Sequence, residues 1–315
     1  MRYRALGASG LLVSVVGLGC NNFGRKCDAE QTRAVIDAAQ TSGITLLDTA
    51  DSYGSPRGSS EELIGKALVG RRDEFVLATK FGMRVDGANG SEVSALGSRR
   101  YIHQAVDASL RRLQTDYIDL YQIHTPCTIT PIEETVHALS ELVREGKVRY
   151  LGHSNFKGWQ IADAHWIARN SGGAPFISAQ NYYNLAHREM ESEVIAACER
   201  FGLGLLPFFP LERGLLTGKY SNGQRPAGSK LENEPEYFTP DRMAKVDALQ
   251  ALADEWGVSL LEVAIGGLAA QPAVASVIAG ATSPDQVREN VAAGLWEPTA
   301  TQLAAIDVAA PGPVS

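Results

Sequence analysis

Eight short apolar runs, each followed by an amphipathic helical pattern, constrain this chain most. They are VSVVGLG (ending at 19), ITLLDTA (44–50), EFVLATK (74–80), YIDLYQIH (117–124), VRYLGHS (148–154), FISAQNY (176–182), LGLLPFF (203–209) and VASVIAG (274–280). Each is rich in branched or aromatic residues and lacks clean two-residue alternation, as strands covered on both faces do. Eight strand–helix units with no break in composition predict an α/β fold, a closed (β/α)8 TIM barrel occupying 1–315 as a single domain. An open doubly wound sheet is the alternative. Short runs around Tyr3 and over 11–14 flank the turn residues 7–10 and predict an N-terminal β-hairpin. Extra helices are expected near the C-terminus, over 240–256 and 259–271 and again towards Ala310, with a loose tail over 311–315.

Helix boundaries are marked residue by residue. Asp28 with Gln31, Ser59 with Glu62, Thr130 with Glu133 and Ser283 with Gln286 have the spacing of a capping box. Pro131, Pro240 and Pro284 stand where a first helical residue would fall, and Gly43, Gly70, Gly146, Gly202 and Gly257 follow helical runs. The polar stretch 211–239, rich in Gly, Pro and Ser, is too long for a plain connection and is expected to be a binding loop or lid.

Composition narrows the class of function. A net charge of −7 argues against binding nucleic acid or an anionic membrane through bulk charge. The cysteines Cys20, Cys27, Cys127 and Cys198 show neither CxxC spacing nor pairing with histidines, so free thiols in a reducing, cytoplasmic compartment are expected. The start MRYRALGASGLLVS lacks the apolar region of a secretory signal.

Three of the runs end on chemistry. Asp48 closes the second, Tyr53 follows in its loop, Lys80 closes the third and His124 the fourth. Active sites of such barrels lie at the carboxyl ends of the strands, so neighbouring strands bring these groups together. An ammonium about 4 Å from a phenol favours phenolate by about 4 kcal/mol at an effective dielectric near 20. On that ground Tyr53 is expected to be acidified into a proton donor, with Asp48 holding Lys80 and neutral His124 orienting a carbonyl oxygen. Singly, each has a plainer reading: a structural ion pair, a loop aromatic, a core histidine. No GxGxxG follows the first run, which leaves a Rossmann site unindicated. The sequence GATSP (280–284) leads into a helix whose N-terminus suits an anion. No His/Asp/Glu cluster has metal-ligand spacing, which leaves a metal-dependent hydrolase without support.

The stretches YRALGASGLLVSVVGLGCNNFG, LLDTADSYG, ATKFG, IHTP, LGHSNF, AQNYYN, GLLTGKY and IAGATSPDQVREN resemble, together and over almost the whole chain, the aldo-keto reductases. The likeness is to the bacterial branch akin to the β-subunits of voltage-gated potassium channels. The resemblance implies hydride transfer from a nicotinamide nucleotide to an aldehyde or ketone, with the tetrad falling on Asp48, Tyr53, Lys80 and His124. It implies cofactor contacts at Gly19, Cys20, Asn21 and Asp48, at Ser154, Asn155 and Gln180 for the carboxamide, and at Phe208, Pro210, Leu211, Gly214 and Lys219. Gly280, Thr282, Gln286, Glu289 and Asn290 are implied around the adenosine half.

Two departures bear on this. Phe208-Phe209-Pro210-Leu211 stands where relatives carry a Tyr-Ser-Pro-Leu type stretch, leaving a ring to stack but removing a polar phosphate contact. Cys127 follows Pro126 where an acid is common. NADP is favoured over NAD, with Lys219 the main phosphate partner and Arg213, Arg225 and Lys230 further candidates, although the last motif lacks the usual cation beside a 2′-phosphate. Phe23, the loop 83–97, Tyr183 and the loop after Phe209 are expected to shape a pocket for a small-molecule carbonyl substrate. Cys20 is either an oxidant sensor or a packing residue. A nucleotide-binding regulatory or redox-sensing subunit with slow turnover is the competing function. Oligomeric state is not readable.

Overall fold

The computed structural model describes residues 1–91, 93–220 and 231–313. Strands β1 (Tyr3–Ala5) and β2 (Leu12–Ser14) form the antiparallel hairpin, with Tyr3 opposite Ser14. Eight parallel strands follow: β3 (Val16–Gly19), β4 (Leu46–Asp48), β5 (Val76–Phe81), β6 (Ile118–Ile123), β7 (Val148–Ser154), β8 (Phe176–Gln180), β9 (Gly204–Leu205) and β10 (Val277–Gly280). Their spatial order, β10-β3-β4-β5-β6-β7-β8-β9, is chain order around a ring. The ring closes between β9 and β10. The Leu205 N–H donates to the Ala273 carbonyl at 2.7 Å, Ala275 N–H to Leu205 at 2.9 Å and Ile278 N–H to Pro207 at 3.0 Å. A doubly wound sheet would instead reverse direction at a switch point; this one is the (β/α)8 barrel.

Helices α1 (Ala29–Thr41), α2 (Ser59–Ala67), α3 (Arg99–Leu113), α4 (Ile132–Arg144), α5 (Gly158–Asn170), α6 (Val194–Phe201), α8 (Leu260–Ala269) and α9 (Pro284–Leu295) clothe the strands, with α7 (Pro240–Trp256) and α10 (Ala300–Ala309) the additional ones. The main apolar core fills the layer between helices and strands. A second cluster lies inside the barrel, where Leu6 and Val13 of the hairpin region meet Leu46, Ala78, Leu120 and Ile177. The hairpin therefore plugs one end and leaves the carboxyl ends of the strands for chemistry. Gly7 makes the plug possible: its φ is +60°, and a Cβ there would meet the Gly202 carbonyl oxygen at 2.4 Å.

One of the four expected capping boxes forms as a box, and three do not. Asp28 and Gln31 cap α1 reciprocally. Ser283 caps α9, but the Gln286 side chain turns to Thr282, accepting from its N–H at 2.8 Å. Ser59 is the first residue of α2, whose cap is Gly58 in the left-handed region. The hydroxyl that works here is that of Ser60, donating to the Cys20 carbonyl at 2.9 Å. Thr130 does not cap α4 either; Pro131 takes that position, and the Thr130 N–H donates to Cys127 Sγ at 3.4 Å. Among the described residues, no helix is long and apolar enough to cross a membrane.

Candidate active site

The ends of β4, β5 and β6 bring the four sequence-predicted groups into one cluster. Asp48 closes β4 and is 2 % exposed; Lys80, in β5, is fully buried. The Lys80 ammonium donates to Asp48 Oδ2 at 2.7 Å and to the Thr49 carbonyl at 2.8 Å. Asp48 Oδ1 accepts from two amides, Gln122 Nε2 at 3.1 Å and Gln180 Nε2 at 2.9 Å. Gln122 escaped the sequence reading, yet it stands two residues before His124, on the same face of a strand. Tyr53 lies over Lys80 Nζ, 5.0 Å from ring centroid to nitrogen. The His124 ring meets Tyr53 edge-on with centroids 5.7 Å apart, and Ser52 Oγ stands 3.4 Å from His124 Nδ1.

The electrostatics differ from the expectation in one respect. Burial raises the Tyr53 phenol above its ordinary value, and the nearby Lys80 charge only partly offsets this. The phenol faces an Asp48–Lys80 pair and not a bare cation, so its proton stays on. Burial alone would lower Lys80, but the Asp48 charge and the hydrogen bonds to Asp48 and Tyr53 outweigh it, holding the ammonium firmly charged. His124 is lowered to about 3 by burial and by Lys80, and is neutral throughout the physiological range. One charged donor, one protonated phenol and one neutral imidazole thus converge at a barrel mouth. They are suited to giving a proton to an oxygen that becomes basic during reaction.

Beside this cluster runs a rim of polar backbone. Ser154 ends β7, and Asn155 follows in the left-handed region at φ 61°, a conformation asparagine tolerates. Asn155 Nδ2 donates to the His124 carbonyl at 2.9 Å and to Ser154 Oγ at 3.1 Å, and its N–H to the Gln180 carbonyl at 3.0 Å. Ser154, Asn155 and Gln180 therefore stand together against the tetrad. After β9, Phe208 lies parallel to Tyr182 at 5.8 Å, with Pro210 buried and Leu211 half-buried beyond it. Phe209, Glu212 and Arg213 have φ of 54°, 44° and 56°, each costing on the order of 1–3 kcal/mol. Glu212 anchors this strain. Fully buried, it accepts from Tyr182 Oη at 2.6 Å and Asn184 Nδ2 at 2.6 Å.

The last strand supplies the opposite wall. Gly19, at the end of β3, pairs with Asp48 on one side and Gly280 on the other. A Cβ at Gly280 would make only ordinary contacts, 3.5 Å to Asn22 Nδ2 and 3.7 Å to the Gly19 oxygen. Packing does not demand glycine there, whereas a ligand lying on that backbone would. Thr282 and Gln286 join through their hydrogen bonds, and Asn290 Nδ2 reaches the Gly280 carbonyl at 3.5 Å. A nicotinamide nucleotide fits this donor set: amides and a hydroxyl beside the tetrad, an aromatic face, and an open glycine at a helix N-terminus.

The Aldo/keto reductase family pattern matches residues 15–310. The chain belongs to the aldo/keto reductase family. It is 37% identical over 304 residues to a probable voltage-gated potassium channel subunit beta of Oryza sativa subsp. japonica, covering 93% of this chain and 91% of that one. It is 36% identical to versiconal hemiacetal acetate reductase of Aspergillus parasiticus, with 93% and 92% covered. It is 34% identical to L-glyceraldehyde 3-phosphate reductase of Escherichia coli strain K12, with 93% and 87% covered.

Of the further contacts expected in this aldo/keto reductase, one is engaged elsewhere. Arg213 is engaged, donating to Glu234 at 2.9 Å and to the Tyr237 hydroxyl, so it is not a free phosphate cation. Lys219 is exposed, and a Cβ on Gly214 would meet its Nζ at 3.4 Å, so these two residues stand together. Glu289 is exposed on α9, and Asn21 is half-buried at the end of β3. The side chain that ties that loop to the last one is Asn22, donating to the Ala281 carbonyl at 3.4 Å. Arg225 and Lys230 lie outside the described residues.

Phe23 and Tyr183 are fully buried in the helix–strand layer, and the Tyr183 hydroxyl donates to Glu191 at 2.6 Å, so neither walls the mouth. A cavity of about 150 Å³ touches Gly82, Ile123, Thr125, Cys127, Phe156 and Trp159. Ile123 and Thr125 face it and His124 lies between them, so it sits on the other side of the β6 end from the tetrad. Cys20 is wholly buried, and burial with the Asp48 charge pushes its thiol well up, which favours the packing reading over the oxidant sensor. Cys127 is the thiol held low, because hydrogen bonds from Thr130, Ile129 and Gly97 outweigh the effect of burial.

Proposed function

We propose that this aldo/keto reductase reduces an aldehyde or ketone to an alcohol with NADPH, Tyr53 being the proton donor. The observation that carries this reading is the convergence of the four groups: Lys80 Nζ 5.0 Å from the Tyr53 ring and 2.7 Å from Asp48, with the His124 ring edge-on to Tyr53 at 5.7 Å. When bound, the nicotinamide supplies the hydride that reaches the carbonyl carbon. The chain's own residues do the rest. His124 and Tyr53 take the carbonyl oxygen between them. As negative charge grows on that oxygen it becomes far more basic than a phenolate, and the Tyr53 proton moves to it. Lys80 then donates to the phenolate left behind, and Asp48 keeps Lys80 charged and in place. Ser154, Asn155 and Gln180 present the amides and hydroxyl that would orient the carboxamide, and Phe208 the face on which the ring would stack. The small-molecule carbonyl is the partner in this reading, with neither nucleic acid nor membrane involved.

A panel of aldehydes and ketones assayed with NADPH and NADH tests it. Turnover on the order of 1 s⁻¹ or faster supports the reading, and tight nucleotide binding without turnover replaces it with a regulatory subunit. The second reading has one observation behind it, the rice relative named as a channel subunit.

Two further results are expected. Because His124 is neutral down to about 3, the pH–rate profile should show no acid limb between pH 5 and 7. Lys219→Ala should weaken NADP binding more than NAD binding in a fluorescence titration, since an ammonium near a 2′-phosphate acts on one nucleotide only. Equal losses would remove Lys219 from that role.

A further inference from the structure

A second buried polar cluster lies behind the tetrad and takes no part in the mechanism above. Asp51, in the loop between Asp48 and Tyr53, is fully buried, as is Glu61 of α2. Arg112 of α3 is the cation beside them: its Nε donates to Glu61 Oε2 at 2.7 Å, and its Nη2 to Asn89 Oδ1 at 2.8 Å. Asn89, in the loop after β5, donates in turn to Asp51 Oδ2 at 2.7 Å. Glu61 Oε1 accepts from Thr79 Oγ1 at 2.6 Å. Asp51 Oδ1 and the Tyr121 hydroxyl are buried and, among the described residues, have no hydrogen-bond partner.

Asp51 is two residues from Tyr53, and its N–H donates to the Lys80 carbonyl at 3.1 Å. Thr79 precedes Lys80 in β5 and faces the opposite side of the strand. The cluster therefore grips the proton donor's loop and the ammonium's strand from behind. Arg112 pairs with Glu61 directly and reaches Asp51 only through Asn89, so the charges of this cluster balance when one of the two carboxyl groups is protonated. Asp51, with an oxygen that has no hydrogen-bond partner among the described residues, is the one suited to keep the proton.

We propose that Asp51 is a positioning residue for this reaction: as an uncharged acid it braces the Tyr53 loop against the Lys80 strand, and losing that proton ends the productive geometry on the alkaline side. This rests on the carbonyl-reductase reading above. The groups facing Asp51 agree in direction. Burial and the Glu61 charge raise its carboxyl to about 8, with Asn89, Arg112 and the Ser52 backbone opposing. Tyr121 of β6 stays protonated, raised by burial and by Asp51. Tyr101 of α3 contributes a hydroxyl that accepts from Asn89 at 3.2 Å, and Lys80 and Glu61 are the charged neighbours from β5 and α2. Neither Tyr53, raised, nor His124, near 3, titrates around 8, so neither of these two places an alkaline limb there, and the Asp51 variant decides whether Asp51 does.

The experiment compares the wild type with Asp51→Asn, whose amide matches the protonated acid in shape and charge. The wild-type rate of carbonyl reduction should fall above about pH 8. In Asp51→Asn the rate at pH 7 should stay within about threefold, with the limb gone or displaced upward by more than one pH unit. An unchanged limb in that variant overturns the proposal.

Thermal unfolding gives a second reading that needs no turnover. The folded protein holds on Asp51 a proton that the unfolded chain releases near its ordinary value of about 4. The stability tied to that proton is therefore complete below pH 4 and lost as pH rises through about 8. Asp51→Asn should flatten the decline of Tm between pH 4 and 8, and an identical decline overturns the assignment. If no carbonyl is turned over at all, the reductase reading fails while this arm still decides the state of Asp51. Should the asparagine variant not fold, Asn89→Ala serves instead: removing a donor to the ionised form should move the wild-type limb to higher pH, and a fixed limb counts against Asp51.

Discussion

Tyr53→Phe is expected to reduce carbonyl turnover by a factor on the order of 10²–10⁴, the range of general-acid catalysis, while nucleotide affinity stays within about twofold. The substitution removes one oxygen and its proton and keeps the ring. The edge-on contact with His124 at 5.7 Å and the cation–π contact with Lys80 at 5.0 Å both involve the ring, so the loop should stay seated. Lys80 keeps Asp48 at 2.7 Å and the Thr49 carbonyl at 2.8 Å. The proposed nucleotide contacts lie on β7, β8, the loop after β9 and α9, which the hydroxyl does not touch. Single-turnover reduction followed by nucleotide fluorescence separates the chemical step from binding. Normal turnover in this variant would end the assignment of Tyr53 as the donor. A loss shared equally between turnover and nucleotide affinity would mean that the hydroxyl orders the site instead of acting in it.

The barrel was legible because its signal is periodic and local. Every apolar run became a strand or a strand-like segment, and the hairpin appeared where its turn residues stood. Caps that depend on one residue's neighbours were less legible. Ser59 and Thr130 have the spacing of capping residues, but Gly58 and Pro131 hold those positions, and spacing alone cannot register which side chain the fold has already engaged elsewhere.

The tetrad was legible for the same reason as the barrel, since strand ends of a closed ring must converge. Its electrostatics were not. The expectation for Tyr53 counted the Lys80 charge and omitted both the desolvation of the phenol and the compensating Asp48, which only the packed structure supplies. Arg213 shows the limit from another side: a lone cation in sequence, it is held in space by Glu234 and Tyr237. Gln122 and Asp51 stand inside the stretches YIDLYQIH and LLDTADSYG, but no role attaches to them in the sequence, and their partners became visible only once β4, β5, β6 and α3 were assembled.

Lys80→Met is expected to lower both stability and turnover, and the two losses have different origins. Lys80 and Asp48 form an ion pair whose side chains are 0% and 3% exposed. Removing the cation leaves a carboxylate held, among the described residues, by the Gln122 and Gln180 amides, and stranding one partner of a buried pair costs about 3–5 kcal/mol. Against a total stability of roughly 5–15 kcal/mol, that loss is plain in urea unfolding at 25 °C. Asp48→Asn/Lys80→Met should recover most of it, because the stranded charge is the penalty and not the absence of the bond. Turnover should fall by roughly three orders of magnitude in Lys80→Met, the equivalent of about 4 kcal/mol for a charge acting on phenolate at 4 Å, and the double variant should not restore it. Stability returning while the rate stays low would show that the same ammonium balances Asp48 in the resting protein and steadies the phenolate in the reaction. A single variant as stable as the wild type would mean that Asp48 is not held as a charge by Lys80, and the account of why the Tyr53 proton remains in place would fall with it.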